Sequence, residues 1–221
     1  MDWPALRTSL LLGVWTLVLL LPAGIWAGYQ LATRRFRGKA IVESLVAIPL
    51  LLPPTVLGFY LLVTFSTRSP LGAAFERVIG HTLAFSFPGL VMASAIANIP
   101  FVVQPIQRAF ESVPLDVREA AACCGLSPWQ RFLRIEAPLA WPGILTAAIL
   151  TFAHTLGEFG VVLMVGGSIP GQTRTLSIAI YDRMQAFDDY GAGVMAATLL
   201  VIAVSALGVT QLLARQVGRR G

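Results

Sequence analysis

Two groups of residues in this chain have types and spacings that can do chemistry. The first is Glu119-Ala120-Ala121, followed by Gly125, Trp129, Ile135 and Pro138. A carboxylate beside two alanines makes a helix surface that another chain can approach closely. A glycine six residues later can take the left-handed backbone of a tight turn. This combination suits docking and charge pairing rather than bond-making. The second group is His154 and Glu158, inside a long apolar stretch. Four residues apart, they would share one helix face. Ionisable groups in such a stretch are costly and usually face a bundle interior or a cavity. Two readings stay open: a structural or gating link between helices, or a substrate path or proton relay. The structural or gating reading is favoured, because a glutamate is a poor ligand for an anion.

The elements that must hold these residues are membrane spans. Of 221 residues, 56% are hydrophobic and 12% charged, where a soluble domain carries about 25% charged residues. A bilayer core of about 30 Å takes about 20 apolar residues of helix. Five segments qualify, roughly 9–31, 40–65, 83–108, 142–165 and 190–213. The expected fold is therefore all-α, a polytopic membrane helical bundle in a single domain over 1–221. Eleven of the 16 lysines and arginines follow the first span, lie between the third and fourth, or follow the fifth; five lie on the other side. The positive-inside rule then gives N-terminus out and C-terminus in. The loop at about 111–141, which carries the first group, becomes cytoplasmic. The first segment exceeds the h-region of a signal peptide, and its basic cluster follows it, so it reads as a retained span. In the second span Pro53-Pro54 must break the backbone ladder. Either a packing kink or a bent helix beside a translocation path would use that break. Asn98 and Gln104 are polar members of the third span, suited to hydrogen bonds between helices.

The loop can be read residue by residue. Pro114 suits a first helical turn, Leu115 to Cys124 contains no breaker, and Gly125 can supply a left-handed C-terminal cap. Ser127 reads as the next N-cap, Pro128 as the first helical residue, and Gln130 as the closing member of a capping box. Pro138 is expected to end that helix. Trp129, Phe132 and Leu133 share a face, with Arg131 and Arg134 elsewhere. An amphipathic helix needs an apolar partner surface, either its own bundle or a groove in another protein. Beyond the fourth span, 166–171 reads as a turn and 176–187 as an external helix with Leu176, Ile180 and Phe187 on one side. No GxxxxGK[ST] sequence is present, so a phosphate-binding loop must come from a partner. Cys123 and Cys124 lack metal-ligand spacing and read as packing residues. No basic tract with interleaved aromatics points to nucleic acid.

The spacing Glu-Ala-Ala-x3-Gly-x9-Ile-x-Leu-Pro marks the membrane subunits of bacterial ABC importers. This chain resembles it at six of seven defined positions, with Ala137 in place of the leucine. The resemblance implies a type I ABC importer transmembrane domain in the bacterial inner (cytoplasmic) membrane. It implies a loop that docks on an ATPase subunit through Glu119, Ala120, Ala121 and Gly125. It also implies a homodimer, two ATPase subunits that bind the ATP, and a periplasmic binding protein. Leu156-Gly157-Glu158-Phe159-Gly160, then Ile169-Pro170-Gly171 and Thr173 to Tyr181, is similar to the molybdate permease branch, as is Leu51-Leu52-Pro53-Pro54-Thr55. The implied binding protein would carry molybdate, and the chain would have no cofactor and no catalytic residue. Sulfate, thiosulfate or tungstate permeases are the alternatives within the class. A proton-driven carrier using His154 and Glu158, or a non-transporting scaffold, are the alternatives outside it.

Overall fold

The computed structural model describes residues 1–218, and every regular element among them is helical. Helix α1, Trp3–Thr33, starts where the Asp2 side chain accepts the Ala5 N–H at 3.0 Å. Its 31 residues would span about 46 Å, more than a bilayer core. Its inner stripe is mostly small, with Ser9, Gly13, Thr16, Gly24 and Gly28 buried beside Leu12, Leu20 and Leu31. It lies against α5, Phe87–Glu111. A Cβ on Gly24 would fall 1.9 Å from Val102 Cγ1, and one on Gly28 would fall 2.8 Å from Ile106 Cγ2. Lipid supplies no hydrophobic drive between helices, so such close backbone approach does the packing.

The expected second span, 40–65, is two helices. Helix α2, Lys39–Leu51, and α3, Pro54–Phe65, meet at 104°. The short helix α4, Pro70–Ile79, follows, capped by Ser69. Beyond α5, the helices α6, Leu115–Cys123, and α7, Pro128–Arg131, form the loop. A π-helical turn, Phe132–Glu136, then joins α7 to α8, Ala137–Gly157. Helix α9, Gly160–Gly166, α10, Leu176–Gln185, and α11, Asp189–Gly218, complete the chain. Among the described residues, four continuous helical stretches, with the bent α2–α3 pair as a fifth, are long and apolar enough to cross a membrane.

Three expectations need correction. Pro138 does not end a helix; it lies in the first turn of α8. The Ala137 N–H reaches back five residues to the Phe132 carbonyl, so the widened turn absorbs the bond a proline cannot make. The fourth span does not run unbroken over 142–165, although Glu158 still meets His154, four residues earlier, at 3.5 Å. The fourth span breaks after Gly157, and Glu158 is extended at φ −61°, ψ 127°. Phe187 is not on the external helix, which ends at Gln185, and it is 92% exposed.

The two ends of the bundle match the charge sorting. Lys39 Nζ lies 3.7 Å from Glu111 Oε1, and Gln107 Nε2 donates to Glu43 Oε1 at 2.7 Å, so the segment after α1 joins the end of α5. At the opposite end the Leu176 N–H donates to Ser9 Oγ at 2.8 Å, and Arg174 lies 3.7 Å from Asp2. Arg219 and Arg220, counted with the arginine-rich end, lie outside the described residues.

Candidate functional site

At the arginine-rich end, α6 closes with a Schellman motif. The Leu126 N–H reaches the Ala121 carbonyl at 3.3 Å and the Gly125 N–H reaches Ala122 at 3.0 Å. Gly125 sits at φ +77°, the left-handed region that glycine enters without penalty. A Cβ there would meet no atom within 4 Å, so the outer side of the turn is open. The next helix starts with a complete capping box. Ser127 Oγ accepts the Gln130 N–H at 3.3 Å, and Gln130 Oε1 accepts the Ser127 N–H at 3.0 Å. Pro114 stands at the N-cap of α6, one residue earlier than expected.

The loop has an outer and an inner side. Glu119, Ala120 and Gly125 are exposed, and Ala121 is buried. Among the described residues the Glu119 side chain has no hydrogen-bond or ion-pair partner. Trp129 is exposed and stacks on Phe132 at 5.5 Å. Phe132 packs edge-on against Tyr29 of α1 at 4.9 Å, which places this helix partly on its own bundle. Ile135 is half-buried and Pro138 exposed.

The inner side turns on a residue the sequence reading did not single out, Glu136. It is fully buried. Oε2 accepts a hydrogen bond from Tyr29 Oη at 2.7 Å, while Oε1 lies 3.1 Å from Arg118 Nε and 3.6 Å from Arg131 Nε. The arginine contacts are charge contacts, not aligned hydrogen bonds. Arg118 also donates to the Phe110 carbonyl, in the last turn of α5. Glu136 occupies the variable position between Ile135 and Ala137. Its only signal in the sequence is an acid at the threshold of an apolar span.

Deeper in the bundle the two proline and acid features meet. A Cβ on Gly160 would lie 2.8 Å from Pro54 Cβ and 3.2 Å from the Thr55 nitrogen. The break at Pro53-Pro54 therefore packs on the break at Glu158. Helix α10 closes over this junction: Ser177 Oγ donates to the Glu158 carbonyl at 2.7 Å. His154 Nδ1 lies 3.1 Å from Asn98 Oδ1 and 3.5 Å from Glu158 Oε2, and its ring stacks on Phe101 at 4.0 Å. Asn98 thus links α5 to α8, as its place in the third span predicts. A mostly apolar cavity of about 500 Å³ opens beside Phe101 between α2, α5 and α8, lined by Leu50, Pro105 and Leu150 among others, with Gln104, Arg108 and Thr146 as its polar members.

A helical bundle with two broken spans and an open Glu-Ala-Ala loop at its arginine-rich end fits a multi-pass, non-catalytic permease subunit of an ABC transporter, the class that the family match gives. The chain belongs to the family of binding-protein-dependent transport system inner membrane components, which matches residues 21–219. It is 49% identical to the molybdenum transport system permease protein ModB of Azotobacter vinelandii over 187 residues, 85% of this chain and 83% of that protein. It is 35% identical to the Escherichia coli K12 protein of that name, covering 97% and 94%. The sulfate transport system permease protein CysW of Synechococcus elongatus is 30% identical, covering 98% and 75%. In fold the chain is similar to the MetNI methionine ABC transporter, with a TM-score of 0.71, 19% identity and coverage of 98% and 94%. It is similar also to a bacterial alginate ABC transporter solved with a pentasaccharide-bound periplasmic protein, with a TM-score of 0.77, 18% identity and coverage of 97% and 78%. The likeness shows the fold that the chain shares with them.

Proposed function

We propose that this chain is the membrane-spanning half of an ATP-driven molybdate importer of the bacterial inner membrane. It works as a homodimer, on two ATPase subunits that bind the ATP, with a periplasmic binding protein delivering the oxyanion. The observation that carries the mechanism is the open outer side of the loop. Glu119 is an exposed carboxylate without a partner among the described residues, and a Cβ on Gly125 would meet no atom within 4 Å. A groove on an ATPase subunit would pair a cation with Glu119 and seat closely over Gly125. Molybdate as cargo is supported by the identity to the molybdenum permeases.

ATP binding would draw the ATPase pair together and move the docked loops. The bundle would open outward, accept the oxyanion, and return inward after hydrolysis. The junction of Pro54 with Gly160, beside His154 and Glu158, is the candidate gate, because two broken spans offer hinges there. The cavity beyond it carries Gln104 and the Arg108 cation, which suits an anion leaving toward the arginine-rich end. Exposed Leu45, Leu51, Phe59 and Tyr60 on the bent pair leave a broad apolar face for lipid or for the second copy.

The test is charge reversal in the assembled complex. Glu119→Arg should abolish both uptake and the stimulation of ATP hydrolysis by loaded binding protein. Full retention of both would refute coupling through the loop. Uptake that persisted without the ATPase and collapsed with the proton gradient would instead point to a secondary carrier.

A further inference from the structure

We propose that Glu136 is a positioning residue that carries movement of the docked loop into the spans. This rests on the reading that the loop docks on an ATPase subunit. Glu119 is exposed and has no hydrogen-bond or ion-pair partner among the described residues. Glu136, in the same loop, faces inward and is held from every side. Arg118 comes from α6, Arg131 from α7 and Tyr29 from α1, while Glu136 itself leads directly into α8. Arg118 adds the end of α5 through the Phe110 carbonyl, in the last turn of that helix, which also accepts the Val113 N–H at 3.3 Å. Four segments therefore meet at one carboxylate, and α5 is tied to it through Arg118.

The surroundings make this joint stiff. Tyr29, Phe110 and Phe132 form a ring cluster with centroids 4.9 to 5.9 Å apart. Water has little access, so charge contacts there are stronger than at a surface. A buried ion pair contributes little net stability compared with apolar packing, yet severing one partner is strongly disruptive. It fixes geometry more than it adds stability. The π-helical turn Phe132–Glu136 belongs to the same device. A widened turn rotates the residues after it relative to those before it, and such turns are frequent at functional sites. Here it lets Trp129 stay exposed while Glu136 points inward.

The experiment compares three variants in proteoliposomes holding the permease, its ATPase and the molybdate-loaded binding protein. Tyr29→Phe removes only the hydrogen bond from α1 and leaves the charge triad in place. Glu136→Gln removes the charge, and Glu119→Arg is the docking reference. The readout is molybdate taken up per ATP hydrolysed, with assembly checked by co-purification of the ATPase. Tyr29→Phe and Glu136→Gln should still assemble and hydrolyse ATP, with uptake per ATP lowered at least about fivefold, the lower end of ordinary coupling energies. Glu136→Asp should recover part of it, which a simple loss of folding would not allow. If Glu136→Gln fails to fold, Tyr29→Phe decides. An unchanged ratio in Tyr29→Phe and Glu136→Gln, with transport lost in Glu119→Arg, overturns this inference alone. An unchanged ratio in all three overturns the docking reading and this inference with it.

Discussion

Replacing Gly160 by alanine should loosen the junction between the two broken spans. The added Cβ would stand 2.8 Å from Pro54 Cβ, and 3.2 Å from both the Pro54 carbonyl carbon and the Thr55 nitrogen. Carbon atoms in ordinary contact sit about 3.5–4.0 Å apart, so the overlap is close to 1 Å. None of the three opposing atoms can swing away. Pro54 is a ring fused to the backbone at the first residue of α3, and the other two are backbone. The start of α3 must move as a unit, and overpacking of this kind costs about 1–3 kcal/mol. An alanine in a helix recovers up to about 1 kcal/mol over glycine, leaving a net loss of roughly 1–2 kcal/mol. Gly157→Ala is the matched control. It lies in the last turn of α8, three residues away, and its Cβ would meet nothing within 4 Å. It should be neutral or stabilising by up to about 1 kcal/mol. The assay is unfolding of the purified permease in mild detergent, both variants side by side. Gly160→Ala should fall about 2 kcal/mol below Gly157→Ala. Equal stability of the two would mean that the breaks at Pro54 and Glu158 do not pack on each other.

Gly125→Ala places an ordinary side chain at φ +77°, which costs about 1–2 kcal/mol of local backbone energy; faster amide exchange over 120–126 would register it. Glu119→Arg should leave the unfolding of the isolated permease within about 0.5 kcal/mol of the wild type, because the residue has no partner among the described residues, and a larger change would reveal one. Ser127→Ala removes the hydroxyl half of the capping box and should destabilise the loop by about 1 kcal/mol, again seen in amide exchange. At the opposite end, the Gly191 backbone N–H and then Arg183 hold the Asp188 carboxyl below its ordinary value. That contact is fully present above the usual aspartate range, about pH 4, and is lost as pH falls through the lower folded value. Unfolding followed from about pH 5 downward should show that loss in the wild type and not in Asp188→Asn.

Local chemistry made the loop legible. Ser127, Pro128 and Gln130 specify a capping box within four residues, and Gly125 is the residue a left-handed cap needs. The broken fourth span was not legible. Hydropathy runs on through Phe159 to Val165, and the break depends on partners far away in sequence, Pro54 against Gly160 and Ser177 against the Glu158 carbonyl. Pro138 looked like a stop because proline forbids the usual helical bond. A π-helical turn meets the same constraint without ending the helix. Glu136 escaped notice for a related reason. Its hydrogen-bond partner, Tyr29, lies 107 residues earlier, and no local pattern joins them. The glycines at 24 and 28 form a small-xxx-small pair whose role emerges only when α5 is laid against it.

The central claim is an ATP-driven permease that moves molybdate. The most direct test reconstitutes the chain with its ATPase and binding protein in proteoliposomes and measures ATP-dependent molybdate uptake against excess sulfate. Uptake that requires ATP and resists sulfate is the predicted result. Uptake abolished by sulfate would keep the ABC class and contradict the molybdate assignment, and uptake independent of ATP would contradict the account itself.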